Sequence, residues 1–119
     1  MTSEAKRWPH AVIYDPDAVV ELLEMKSKEE HRALLNAVRK LGELGEQLGP
    51  PHMKPLKGAG PLCELRPRQG QSDWRAICRR SEDFYAILAI DRHKNFAALI
   101  ERAQARAARY DRPLKADRP

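Results

Sequence analysis

Phe84-Tyr85-Ala86-Ile87-Leu88-Ala89-Ile90 is the stretch on which the fold turns. It is apolar at every position and shows no alternation, the pattern of a strand buried on both faces, so it reads as a central strand. Upstream, Ser81-Glu82-Asp83 makes a tight turn to a strand predicted over 74–80. Before that, the polar stretch 68–73, with Gly70 and Ser72, turns back to a strand predicted over 62–67. These three runs form a meander. Downstream, the polar loop 91–95 leads to a helix predicted over 96–110, with Leu99, Ile100, Ala103 and Ala107 along its inner side.

The front half is helical. A short apolar run, Ala11-Val12-Ile13-Tyr14, reads as a first strand. Asp15-Pro16 then opens a helix, since Asp caps and Pro suits the first helical position. Ala18, Val19, Leu22 and Leu23 recur along it at helical spacing. Ser27-Lys28-Glu29-Glu30 fits a capping box. The stripe of Leu34, Ala37, Val38, Leu41, Leu44 and Leu48 follows, and Gly49-Pro50-Pro51 ends the helix. Residues 52–61 read as a loop. The expectation is one α+β domain over 8–110, with flexible termini at 1–7 and 111–119. An antiparallel sheet, made of the N-terminal strand plus the three-strand meander, packs against a helical hairpin and a C-terminal helix. The helices are expected on one face of the sheet, and the other face, partly open, is the natural place for a site.

Charge sharpens that expectation. Lys and Arg number 22 against 17 Asp and Glu, a formal net charge of +5. Residues 1–52 hold 7 basic and 9 acidic side chains, and residues 53–119 hold 15 and 8. The basic excess thus lies in the strand-rich half, which favours an anionic partner there. No signal peptide or membrane span is legible. Cys63 and Cys78 form no Cys-x-x-Cys pair, and buried free thiols in a reducing cytoplasm are expected. Histidines at 10, 31, 52 and 93 lack metal-ligand spacing, so no zinc site and no cofactor is expected.

The cations that stand out are Lys54 and Lys57, in Lys54-Pro55-Leu56-Lys57-Gly58, and Arg66 and Arg75, in consecutive strands. Hairpin pairing brings the end of one strand against the start of the next, so Arg66 and Arg75 should be close. Glu64 points to the same side as Arg66 by alternation. Two readings follow: a surface Glu64–arginine network, or a phosphate clamp. In RNA cleavage by internal 2′-hydroxyl attack, fixed cations stabilise the phosphorane, and a cation-crowded lysine can act as base. His93 stands in a loop at the end of the central strand, in position to protonate the leaving oxygen. It is equally readable as an exposed loop residue. Arg68, Arg79 and Lys94 are further RNA-binding candidates. The spacing of Arg102, Arg106 and Arg109 fits one exposed helix face, either gripping RNA or wet, with the wet side favoured.

The run Pro51-His52-Met53-Lys54-Pro55-Leu56-Lys57-Gly58, then Glu64-Leu65-Arg66, Trp74-Arg75 and Ile100-Glu101-Arg102-Ala103, resembles the RelE/ParE toxin superfamily. It is most similar to the HigB-like, phage-derived toxins of type II toxin–antitoxin systems, over about residues 8–110. The resemblance implies a cytoplasmic, metal-independent, ribosome-dependent mRNA endoribonuclease and a cognate helix-turn-helix antitoxin. It implies that Lys57 matches the lysine of the family's Pro-Leu-Lys-Gly turn. Lys54 stands where some relatives place a histidine that activates the attacking hydroxyl, and Arg66 and Arg75 match the phosphate-holding arginines. Many relatives end the last strand with a histidine or follow it with Lys-Lys-Thr. Here Ala89-Ile90-Asp91-Arg92-His93-Lys94 stands instead, with His93 or Lys94 in that role. Two other readings of the fold stand beside this one: a ParE-like, non-enzymatic DNA gyrase inhibitor, and a decayed toxin that binds RNA and antitoxin without catalysis.

Overall fold

The computed structural model describes residues 8–110; both polar ends, 1–7 and 111–119, lie outside the described residues. The elements are β1 (Ala11–Tyr14), α1 (Pro16–Leu23), α2 (Lys28–Leu44), β2 (Met53–Pro55), β3 (Leu62–Leu65), β4 (Trp74–Arg80), β5 (Phe84–Arg92) and α3 (Phe96–Ala107). They build a five-stranded sheet in the order β1-β5-β4-β3-β2. β1 pairs parallel to β5, and the other pairings are antiparallel. The α+β architecture and the interior place of β5, between β1 and β4, follow the sequence pattern; the N-terminal strand, expected in an antiparallel sheet, is instead parallel to its neighbour.

The two N-caps act as read, but α2 stops earlier than expected, at Gly45 and not at Gly49-Pro50-Pro51. Asp15 caps α1 by accepting from the Asp17 amide at 2.9 Å, with Pro16 in the first turn. Ser27 caps α2 by accepting from the Glu30 amide at 3.2 Å. The carboxylate of Glu30, however, takes the Ser72 hydroxyl at 2.5 Å and so ties α2 to the loop before β4. Gly45 ends α2 at φ 55°, with the His10 ring against the place where a Cβ would sit.

Two further expectations are corrected. The stretch 52–61 is not wholly loop: Met53–Pro55 pairs with Cys63–Leu65 as the edge strand β2. Three residues ending in proline carry little strand signal, and proline is tolerated there because an edge strand's outer N–H has no partner to lose. Nor do the helices share one face. Leu34, Val38 and Leu41 of α2 pack with Ala76, Cys78, Tyr85 and Ile87 on one side of the sheet. Leu99 and Ala103 of α3 pack with Ile77, Ala86, Leu88 and Ala89 on the other. A strand apolar on both faces requires cover on both. At a register shift Ile77 pairs with Ala89 and Cys78 with Ile87, leaving Leu88 as the extra residue and turning both Leu88 and Ala89 toward α3.

β1 pairs only with Phe84–Ile87, so the rest of the β5 edge needs other partners. The Asp15 amide donates to the Ile87 carbonyl at 2.8 Å. Glu21 of α1 accepts from the Ile90 amide at 2.9 Å. Arg106 of α3 donates to the Leu88 carbonyl at 2.9 Å. Side chains of α1 and α3 thus complete the edge. Arg102 and Arg106 of α3, and Arg109 just beyond it and still half exposed, are therefore ion-paired and not simply a wet face. Arg102 pairs with Glu21 and Asp91, Arg106 with Glu21 and Asp17, and Arg109 with Asp15 and Asp17.

Candidate nucleic-acid interface

α3 covers β5 and β4 on its face of the sheet, and Leu62 of β3 packs with it. Strand alternation directs Lys54, Glu64, Arg66 and Arg75 to that side. Lys54 and Glu64 are direct partners across β2 and β3. Arg75 donates from Nε to a Glu64 oxygen at 2.8 Å, and Arg66 Nε lies 3.8 Å from the same oxygen. Two arginines therefore meet at one carboxylate, with Lys54 opposite it across the strand pair.

Their states differ. Arg75 is only 4% exposed and Glu64 7%, so the pair is buried, not the surface network that the alternation allowed. The Arg75 guanidinium also donates to the carbonyls of Ser72 at 2.6 Å, Trp74 at 2.8 Å and Gly70 at 3.2 Å. Four of its five N–H groups are engaged, and the loop 70–74 is built round them. Arg66 is half-buried, and its Nε has no hydrogen-bond partner among the described residues. Its guanidinium lies over Gly70, where an added Cβ would stand 3.1 Å from Nη2. Lys54 is exposed and meets no carboxylate within ion-pair distance among the described residues.

The remaining candidates lie farther out. Lys57 is exposed in the β2–β3 turn, beyond Leu62, four residues along β3 from Arg66 and so about 13 Å away along the strand. Arg79 is at that same end of β4 and donates to the Ala107 carbonyl at 3.1 Å. His93 and Lys94 are exposed at the other end, after β5. The His93 amide donates to the Asp73 carbonyl at 2.6 Å, and its ring centroid is 5.2 Å from that of Phe96. The Arg66 amide donates to the His52 carbonyl at 2.8 Å, so His52 and His93 share the end where Arg66 stands. Arg68 is exposed on the loop 67–70, in the left-handed region at φ 54°. Lys54, Arg66 and Arg75 converge; Lys57 and Arg79 flank them on one side, His93 and Lys94 on the other.

Asp91, opposite Arg75 across β4 and β5, is turned to α3. Burial raises its carboxyl, but hydrogen bonds from Asn95, the Arg92 amide and Arg102 outweigh that and hold it below its ordinary value. Burial pushes both cysteine thiols up, and Cys63 and Cys78 face each other as free thiols across β3 and β4. Thiols so raised are poor nucleophiles. Tyr85 is a core residue, 5% exposed. Among the described residues no group of three or more His, Cys, Asp or Glu could hold a metal ion, and no helix is long and apolar enough to cross a membrane.

The family model of the phage derived protein Gp49-like (DUF891) matches residues 21–91, from within α1 to near the end of β5. The chain belongs to that Gp49-like family. A structure of an E. coli RelE toxin mutant in the free state superimposes with a TM-score of 0.62 at 12% identity, over 87% of this chain and 98% of that one. A chain of the archaeal RelE–RelB complex from Pyrococcus horikoshii OT3 superimposes with a TM-score of 0.51 at 23% identity, over 70% of this chain and 93% of that one. No curated protein matches the chain. The Gp49-like chain thus has the RelE fold, and the family that its sequence matches is a phage-derived one.

Proposed function

We propose that this Gp49-like protein is the toxin of a type II toxin–antitoxin pair and cleaves mRNA on the ribosome. The observation that carries the reading is the meeting of Arg66 and Arg75 at the carboxylate of Glu64, with Lys54 opposite it across β2 and β3, on one face of a RelE-fold sheet. Three cations against one acid leave a local excess suited to a phosphodiester.

In the proposed reaction the 2′-oxygen bonds to phosphorus as the bond to the 5′-oxygen breaks, leaving a 2′,3′-cyclic phosphate. Arg66 and Lys54 face the non-bridging oxygens, where negative charge grows. Lys54 in its amine form receives the 2′-hydroxyl proton, and His93 in its imidazolium form supplies one to the departing 5′-oxygen. Arg75, held by Glu64 and three carbonyls, acts as a positioning residue: it sets the loop over which Arg66 lies. Lys57 and the outlying Arg68, Arg79 and Lys94 contact neighbouring phosphates. No cofactor enters this scheme. The reading also includes a cytoplasmic site of action and a cognate antitoxin of helix-turn-helix type. A RelE–RelB complex among the similar folds supports a protein partner.

The test is induced expression followed by mapping of mRNA ends on translating ribosomes. Cuts within codons support the proposal. DNA damage without such cuts overturns it in favour of gyrase inhibition, and growth without either overturns it in favour of a non-catalytic toxin fold.

A further inference from the structure

A second cationic feature lies on the opposite side of the sheet end, between α2 and the loop 67–70. On α2, Ala33, Asn36, Ala37 and Lys40 follow at three- and four-residue steps and so share one helical face. The two alanines leave a cleft there, closed from the sheet side by His52, Arg66 and Arg68. Its interior holds about 20 Å³, more than the roughly 10–15 Å³ that one water needs. A base or an aromatic ring does not fit; one or two oxygens of a larger group do.

The chemistry of the lining is one-sided. Lys40, His52, Arg66 and Arg68 line the cleft with the Asn36 amide, and no Asp or Glu does. Glu30, one turn earlier on α2, is occupied by the Ser72 hydroxyl, and Glu64 lies toward the other face. Arg66 Nε is buried without a hydrogen-bond partner among the described residues. Arg68 and Gln69 both stand in the left-handed region, at φ 54° and 59°, an arrangement that costs side-chain-bearing residues stability and that here sets Arg68 at the cleft. Arg66 is answered only by Glu64, 3.8 Å from its Nε, and Lys40 and Arg68 meet no carboxylate among the described residues; such an excess of cations favours an anion.

We propose that this cleft is a phosphate-binding site that seats a backbone phosphodiester of single-stranded RNA, separate from the phosphate at the Glu64 face. Arg66, at the boundary of the two features, links them. The choice of RNA rests on the function proposed above; the anion chemistry does not.

The test is a ¹⁵N NMR titration of the full chain with two probes: inorganic phosphate, and a fully 2′-O-methylated, hence uncleavable, oligoribonucleotide of about six nucleotides. Amide shifts at Asn36, Lys40 and Arg68 are expected with both, saturating at least about tenfold earlier with the oligonucleotide. Lys40→Gln combined with Arg68→Asn, which keeps a residue tolerant of positive φ, should weaken oligonucleotide binding about tenfold or more. It should also make the salt dependence of binding shallower, by about 0.7 in slope for each phosphate that the variant no longer neutralises. Unchanged far-ultraviolet circular dichroism checks the fold. If phosphate shifts these amides and the oligonucleotide binds no tighter, the RNA assignment falls and the site takes a free anion. If neither probe moves them, or the double variant binds as well as the parent, the cleft is not a phosphate site. Because the probe cannot be cut, this outcome is independent of mRNA cleavage on ribosomes.

Discussion

Two arginine-rich regions of this molecule look alike in composition and differ in what surrounds them. On the α3 side, Arg102, Arg106 and Arg109 meet Glu21, Asp91, Asp17 and Asp15, and join α3 to α1 across the β5 edge. On the β2–β4 side, Arg66 and Arg75 share Glu64, and Lys54 stands opposite it across β2 and β3 without an ion pair among the described residues. The first region is balanced and structural. The second keeps an excess of positive charge and is the place for a phosphate. A count of basic residues does not separate them; the number of acids within reach does.

The sharpest way to break that contrast is at Arg75. Arg75→Ala leaves Glu64 buried and unpaired, and about 3–5 kcal/mol of unfolding free energy should be lost in a denaturant titration. The burial of Arg75 and its four hydrogen bonds make the truncation a structural one. A loss below about 1 kcal/mol would put Arg75 with the anion-facing cations. Next is the α3 clamp. Arg106→Ala removes a half-buried partner of Glu21 and the donor to the Leu88 carbonyl, and should cost about 1.5–3 kcal/mol in the same measurement. RNA cleavage by the folded fraction should stay intact. An equal loss of cleavage would erase the division of roles.

Lys54→Ala and Arg66→Ala should do the opposite. Stability should change by no more than about 0.5–1 kcal/mol, since neither makes a close ion pair, while growth arrest on expression should disappear. The smallest effect is at high pH. Burial and the hydrogen bond to Asp15 push the Tyr110 hydroxyl up from 10.0 to about 12. A group whose folded value is raised contributes stability that is complete below its unfolded value, near 10, and lost as pH rises through about 12. Melting temperature should therefore fall across that window, and Tyr110→Phe should fall less steeply. Equal slopes would detach Tyr110 from the clamp.

Much of the fold was legible because the signals are local. β5 announced itself by an unbroken apolar run, α1 by Asp15-Pro16 and α2 by its leucine stripe. β2 was missed because its strand character comes from pairing with β3 and not from its own residues. At the candidate site, the neighbourhood of Arg66, Glu64 and Arg75 followed from strand alternation. Asn36 and Lys40 could not be tied to Arg68 in this way, since no pattern along α2 marks which turn faces the loop 67–70.

The residues in order were enough for the type of each main element, the interior place of β5 and the side of the hairpin on which the cations stand. Periodicity and strand alternation belong to neighbouring residues, and the chain's covalent geometry enforces them. The fate of each charge was decided only when the chain closed. Asp15 and Arg109 are 94 positions apart and meet at 2.8 Å, whereas Lys54 found no acid to itself among the described residues. Charges act through space, and which of them become partners depends on how the sheet and its two helical layers stack.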